Sequence, residues 1–341
     1  MRCGPGGEVV TPARMAALSL LDLFRTLASF SPPRTRLADA PWETYIPWAI
    51  GNGLAPLASY NLEYVLPGSG APQWARGQLA SIYQGSSNDN VLKLIMFKRL
   101  VGQLEGRKLI LSGAAVLAES LYPHIAFRPV IELEVLLRRM DVDPFTGFVT
   151  RSEFKVDDRG YEDAGATRVL SDGSTPILLF AEPLGPSSAE ATRGLFERAE
   201  PARLYGPSIY RPTPEDLLML SVLSLARAGF ERPAIVWVDL RELVLGAPTL
   251  QGEDARPVDP ARVLALATEW RLERALWAAL TIVASFFPET GARVKELLPE
   301  LRGATRQLLG RAVVDPVVGF SGSLTGRRGA NHLRRLLTAG R

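Results

Sequence analysis

Two acidic residues stand one residue apart in the most regular stretch of the chain. The run Pro129–Leu137 alternates apolar residues with Glu132 and Glu134, which predicts a β-strand with one apolar and one acidic face. Both carboxylates would then point to the same side of the strand. Paired carboxylate oxygens are ligands that suit Mg²⁺ or Mn²⁺. Taken alone, such a pair more often belongs to the solvated outer face of a sheet.

A turn that could bind phosphate lies upstream of the acidic pair. Ser112 and Gly113 join a short apolar run at 108–111 to a helix predicted over 114–121. The free N–H groups and the dipole at the start of a helix attract anions. Carboxylates that face this turn could hold a divalent ion that bridges the phosphates of a nucleoside triphosphate and aligns it for in-line attack. A Ser-Gly pair before a helix is, by itself, more often a plain turn.

The composition limits the kinds of site that this chain can build. Its 341 residues include one cysteine, Cys3, and two histidines, His124 and His332. A disulfide within the chain, a cysteine zinc site and a site of several histidines are therefore excluded. Any metal must be held mainly by oxygen ligands. His124 follows a Tyr-Pro turn and is predicted to be a loop residue rather than a general base.

The elements that must position these residues fall into four regions. Residues 1–106 show helical spacing of apolar residues, and 107–185 change to a strand–helix–strand pattern followed by further strands. Residues 186–300 are helical again, and 301–341 are rich in Gly and Arg. Local patterns predict a helix that ends at Gly51-Asn52-Gly53, one that begins at Asn88, one capped by Thr213 and one over Pro260–Phe287, whereas 141–175 is polar and Gly-rich. We therefore predict an α+β fold, in which a small mixed-sheet core is flanked by N- and C-terminal helical regions and followed by a less ordered tail.

Charge and hydropathy bear on partners and location. From Arg302 to Arg341, eight Arg stand against one acid, Asp315, which gives +7 in a chain whose net charge is +3. This tail could contact nucleic acid, but its single aromatic residue, Phe320, offers no stacking platform, so a solvated end is the simpler interpretation. No apolar run reaches the ~18 residues of a membrane helix, and the start lacks a signal-peptide pattern, which favours a cytoplasmic protein. The excess of Arg over Lys is typical of a GC-rich bacterial genome.

The order of these pieces resembles the uncharacterised bacterial nucleotidyltransferase family, a branch of the polymerase-beta-like superfamily. The matching segments, from about residue 18 to 245, are Pro41-Trp42-Glu43, Gly51–Leu57, Leu111–Ala118, Leu121-Tyr122-Pro123, Arg128-Pro129, Glu132–Leu136, Pro214–Leu218 and Trp237–Leu240. The resemblance implies transfer of a nucleotidyl group from a nucleoside triphosphate to an acceptor hydroxyl, with Mg²⁺ or Mn²⁺ held by Glu132 and Glu134. Ser112 and Gly113 would line the triphosphate, and Arg128 would brace the loop or contact phosphate.

The departures from the family pattern concern its polar positions. The paired Asp residues are Glu here, and the Lys before the glycine is Ser112. The third acid falls on Leu178 and a His on Phe180, and two further histidines fall on Leu220 and Ser224. A metal shifted by about an ångström can slow a reaction ~10²-fold, and loss of a base ~10²–10⁴-fold. We therefore expect a degenerate metal site with weak or absent transfer.

Three functions stay open on the sequence alone. The first is this weak nucleotidyltransferase, and the second is a catalytically inactive scaffold or binding module that keeps the fold. Nucleic-acid binding through the basic tail ranks last. Asp239, in the last matching segment, is expected to form a structural salt bridge with Arg241 or Arg227. The acceptor and any protein partner are not indicated.

Overall fold

The computed structural model describes residues 12–102, 108–152, 154–157, 166–185, 188–202, 209–246 and 256–312, with the backbone alone at 12–19 and 311–312. Within these ranges the chain forms helices around one mixed β-sheet. The predicted α+β class, with helical regions on both sides of a sheet, is confirmed. Cys3, His332 and most of the Arg-rich tail lie outside the described residues.

The helices before the sheet follow the apolar spacing of the sequence. They are α1 (Pro12–Leu27), α2 (Trp42–Gly51), α3 (Ala55–Tyr60) and α4 (Gln73–Val101), with a π-helical turn at Asn61–Val65. Helix α2 ends at the predicted Gly51-Asn52-Gly53 turn, where Gly53 has a positive φ of 72°. Helix α4 begins well before its predicted start at Asn88: Ala75 and Leu79 of its first half are buried, and the helix packs on α3.

The sheet has seven strands in the order β3-β4-β5-β2-β1-β7-β6. They are β1 (Leu109–Ser112), β2 (Leu133–Leu136), β3 (Lys155–Val156), β4 (Arg168–Ser171), β5 (Pro176–Phe180), β6 (Glu200–Pro201) and β7 (Ile209–Arg211). The central strand β2 runs antiparallel to β1 and parallel to β5. The sheet thus extends beyond residue 185, into the region expected to be helical.

Helices cover the sheet and close the C-terminal part. They are α5 (Gly113–Ser120), α6 (Val142–Val149), α7 (Ala189–Arg198), α8 (Pro214–Arg227), α9 (Ile235–Leu245), α10 (Pro260–Glu269), α11 (Glu273–Phe286), α12 (Gly291–Leu297) and α13 (Gly303–Ala312). The predicted cap of α8 is present, since Thr213 Oγ1 accepts a hydrogen bond from the Asp216 N–H at 3.2 Å. No helix of the described residues is long and apolar enough to span a membrane.

Two stretches differ from what their sequence indicates. The polar, Gly-rich stretch 141–175 was assigned no helix, yet it contains α6, because Phe145 and Val149 are buried in the core. A continuous helix was expected over Pro260–Phe287, but the chain breaks between α10 and α11, where Arg271 adopts a φ of 56°.

Candidate functional site

The structure brings the two predicted glutamates to one wall of a cleft. Glu134 lies in β2 and Glu132 directly precedes that strand, so their side chains share a face while Leu133 between them is buried. Both carboxylates line two adjoining cavities, of about 260 Å³ and about 40 Å³. The acidic side of this strand therefore faces a cleft rather than open solvent.

The predicted phosphate turn lies against Glu134. Ser112 pairs with Glu134 across β1 and β2, and its Oγ donates a hydrogen bond to Glu134 Oε2 at 3.2 Å. Gly113 has a φ of 62°, and a Cβ atom at this position would overlap the carboxylate, with Glu134 Cδ only 2.5 Å away. Only glycine meets both demands easily. The turn and the acidic pair are thus one packed unit at the start of α5.

Burial changes the protonation of both carboxyl groups. The pKa of Glu134 is raised to about 7, chiefly by burial and next by the neighbouring Glu132 carboxylate, while the Ser112 hydrogen bond opposes the rise. The pKa of Glu132 is raised as well, mainly by burial, while the charges of Arg232 and Arg128 oppose that shift. A cation beside the pair would favour its ionised form.

A leucine stands where the family pattern has a third acid. Leu178 of β5 is the register partner of Glu134 in the parallel β2–β5 pair, and Phe180 is the partner of Leu136. Residues in register on parallel strands share a face. Leu178 is 1% exposed and Phe180 is 7% exposed, and both line the smaller cavity. The face that would carry the third ligand is therefore apolar.

The donor set decides whether a divalent ion fits here. Two carboxylates can hold Mg²⁺ when the phosphates of a substrate complete its coordination, but the protein alone offers too few oxygen ligands. Among the described residues, no three Asp, Glu, His or Cys side chains are grouped to hold an ion. Because Leu178, in register with Glu134, offers no oxygen ligand, the residues present do not fit a divalent ion held by the protein itself.

Arg128 is engaged in a buried network. Its Nε donates to both carboxylate oxygens of Asp239, at 3.1 and 3.0 Å, and Tyr122 Oη donates to Asp239 Oδ1 at 2.7 Å. Asp239 was predicted to pair with Arg241 or Arg227, and this prediction was wrong. Its partner is Arg128, which is 111 residues away in the sequence. Arg128 lines the larger cavity, but its charge is balanced by Asp239, which fits the bracing role better than a phosphate contact.

A further cation, Arg232, lines both cavities together with the glutamates. It lies in the loop between α8 and α9, and its Nη2 donates to Ser224 Oγ at 3.0 Å. Arg232 was not among the predicted site residues, since no spacing in the sequence connects it to the acidic pair. The one available hint was the pair Leu220 and Ser224, departures from the family pattern that also line both cavities.

His124 lies apart from this cleft. Its Nδ1 accepts a hydrogen bond from the Ala126 N–H at 3.2 Å and so caps the short helix Ile125–Phe127. It lines neither cavity. The side chain of His124 therefore has a structural role as a helix cap.

Comparison with known protein families gives the family of this chain. The model of a family described as uncharacterised nucleotidyltransferase matches residues 38–288, well over half of the 341 residues. The chain belongs to this nucleotidyltransferase family. No curated protein and no solved structure matches it.

This membership confirms the predicted nucleotidyltransferase family, while the bacterial origin and the replacement of the paired Asp by Glu stay predictions. The matched range includes Ser112, Gly113, Arg128, Glu132, Glu134 and Arg232. It also includes α2, the whole sheet and helices α8 to α11. The candidate cleft is therefore built within the part of the chain that the family shares.

Proposed function

We propose that this protein is a nucleotidyltransferase-family member with a degenerate metal site and weak or no nucleotidyl transfer. If transfer occurs, Glu132 and Glu134 are the carboxylates that would hold Mg²⁺ or Mn²⁺, and Ser112 and Gly113 would line the triphosphate. The observation that carries the proposal is the register of Leu178 beside Glu134. An apolar residue in that place supplies neither a metal ligand nor a base for the attacking hydroxyl.

A second observation supports the proposal. Most residues around the larger cavity are apolar; they include Ile50, Leu117, Ile131, Leu217, Leu220, Ile235 and Val236. The cleft thus has the mostly apolar lining of a small-molecule pocket but few groups for catalysis.

Calorimetric titration with ATP and GTP tests this proposal, in Mg²⁺ and in Mn²⁺, on the wild type and the double variant Glu132→Gln/Glu134→Gln. Transfer of label from the α-phosphate of the nucleotide is followed in parallel. We expect that nucleotide binding, where it occurs, neither requires the metal nor is abolished in the double variant, and that little or no label is transferred. Tight metal-dependent binding that the double variant removes, accompanied by rapid labelling, would overturn the proposal.

The alternative is an inactive scaffold that uses the fold for binding another molecule. Leu178 and Phe180 favour it, because they make one side of the cleft apolar. The absence of any nucleotide binding under all conditions, with both proteins equally folded, would select this alternative. Its partner would then be sought by pull-down with the intact chain.

A further inference from the structure

Arg232 has hydrogen-bonding capacity that the protein does not use. Its Nη2 donates to Ser224, but its Nε is buried without a hydrogen-bond partner among the described residues. A buried guanidinium N–H without an acceptor is unfavourable. Because Arg232 lines both cavities beside Glu132 and Glu134, a ligand in the cleft could accept hydrogen bonds from the part of the guanidinium that faces the cavities, which the protein does not fully use.

The loop that carries Arg232 is held firmly in an unusual conformation. Phe230 adopts a φ of 67°, although it is not a glycine, and its fully buried ring stacks on Trp237 with centroids 6.3 Å apart. Backbone strain of this kind persists only where the surroundings enforce it, and it concentrates at functional sites. The buried ring therefore fixes the loop on the N-terminal side of Arg232.

The other side of the loop is fixed by the turn after α2. Asn52 Oδ1 accepts a hydrogen bond from the Ala234 N–H at 2.8 Å, and the Asn52 carbonyl accepts one from the Ile235 N–H at 3.2 Å. Gly53 packs on Ile235, where a Cβ atom would lie 3.3 Å from Cγ2. One of the segments that matched the family pattern thus positions Arg232 at the cleft.

Arg232 is the arginine of the cleft wall whose charge acts on the two glutamates. Arg128, the other arginine on the wall of the larger cavity, is paired with buried Asp239. Arg232 acts electrostatically on both glutamates, since its charge opposes the rise in the pKa of each. In a nucleotidyltransferase, a divalent ion normally bridges the carboxylates and the substrate phosphates. A guanidinium can also contact both carboxylate and phosphate oxygens.

We propose that Arg232 takes the place of the divalent ion in this cleft and offers the N–H groups of its guanidinium that line the cavities to a phosphate oxygen of a nucleotide. The inference rests on the proposed function, because it assumes a nucleotide ligand and a degenerate metal site. Arg232 carries one positive charge where Mg²⁺ carries two, so it cannot balance both glutamates. Nucleotide binding is therefore weaker than binding bridged by a metal, and it does not require one.

Titration of ATP in excess EDTA tests this inference. We expect the wild type to bind ATP without metal and Mg²⁺ to change its Kd by less than about threefold. Arg232→Gln should weaken binding roughly tenfold or more, and Arg232→Lys should retain part of it. Arg193→Gln, a change at an exposed arginine on α7, is the matched control and should bind as the wild type does.

The double variant Glu132→Gln/Glu134→Gln distinguishes Arg232 from Mg²⁺ as the cation of the cleft, because the two cases predict opposite changes in ATP affinity. If Arg232 is the cation, removing the negative charge of the two carboxyl groups strengthens ATP binding in EDTA by roughly tenfold. Binding that requires Mg²⁺ and is unchanged in Arg232→Gln would overturn the inference. So would the absence of ATP binding to the folded wild type, an outcome that leaves the degenerate metal site standing. Rapid metal-dependent transfer would overturn the proposed function itself.

Discussion

Gly113 meets two separate demands on one residue. Its φ of 62° lies in the left-handed region, and its missing side chain leaves room for the Glu134 carboxylate. We expect Gly113→Ala to lower the free energy of unfolding by about 1–2 kcal/mol, chiefly through the backbone conformation, because the end of the Glu134 side chain can move aside. Urea unfolding measures this change, and Gly113→Ala should also alter the protonation of Glu134.

The control for this change is a glycine with neither demand. Gly77 lies within α4, and a Cβ atom there would meet open space. Gly77→Ala should therefore raise the free energy of unfolding by about 0.5–1 kcal/mol, since alanine is the better helix former. Equal effects of the two substitutions would contradict the role given to Gly113.

Glu134 should make stability depend on pH. Its pKa rises from 4.5 to about 7 on folding, so the folded protein keeps a proton that the unfolded chain releases. Stability is then highest at acidic pH and falls as the pH rises from about 4.5 to 7. The full shift corresponds to ~3 kcal/mol, and because the side chain keeps some exposure we expect about 1–2 kcal/mol.

Glu134→Gln should remove this loss, which is measured by urea unfolding at pH 5 and pH 8. The difference in stability between the two pH values should shrink by the amount above. Glu190→Gln, a change at an exposed residue of α7, should keep the wild-type difference. If Glu134→Gln shows the same pH dependence as the wild type, the carboxyl group titrates alike in the folded and unfolded chains.

At the scale of the elements, the register of β2 and β5 sets the chemistry of the cleft. It places Leu178 directly beside Glu134, so Leu178→Asp restores an acid where the family pattern has one. We expect this variant to lose about 3–5 kcal/mol of stability, because a third carboxylate is buried without a partner. Mn²⁺ should recover part of this loss, as a rise in melting temperature that the wild type does not show.

Leu178→Asn is the control for the restored acid. It is close to Asp in shape and polarity but carries no charge, so it should lose stability without any recovery by Mn²⁺. The same rise in melting temperature in both variants would show that Mn²⁺ binds elsewhere. Absence of a rise in Leu178→Asp would contradict the placement of the third ligand on β5.

The elements also explain how far the sequence could lead. Alternating residues placed Glu132 and Glu134 on one face, and the Thr213 cap placed the start of α8, because both depend on neighbours in the chain. Helix α6 was missed, since Pro144 and Gly147 disfavour a helix that tertiary burial nevertheless stabilises. The pairing of Arg128 with Asp239 and the approach of Arg232 to the glutamates depend on packing between distant segments, and no local pattern encodes them.

At the scale of the whole molecule, the N- and C-terminal helices form a common core. Phe24 of α1 packs against Phe286 and Phe287, with ring centroids 6.0 and 5.4 Å apart. Arg25 adds a bond between the same regions, since its Nε donates to the Phe286 carbonyl at 2.6 Å. The helical regions 1–106 and 186–300 are therefore expected to unfold together.

Scanning calorimetry of the intact chain tests this shared core. We expect one cooperative transition for the wild type, and a loss of about 3–5 kcal/mol in Phe24→Ala, because a large buried ring leaves a cavity. The whole transition should shift in this variant, including the part that reports on the sheet. Leu92→Ala, at an exposed position of α4, should change stability by less than about 0.5 kcal/mol. Two separate transitions, only one of them shifted by Phe24→Ala, would instead indicate that the helical regions and the sheet core are independent domains. The turn after α2, which holds the Arg232 loop, could then unfold separately from the sheet.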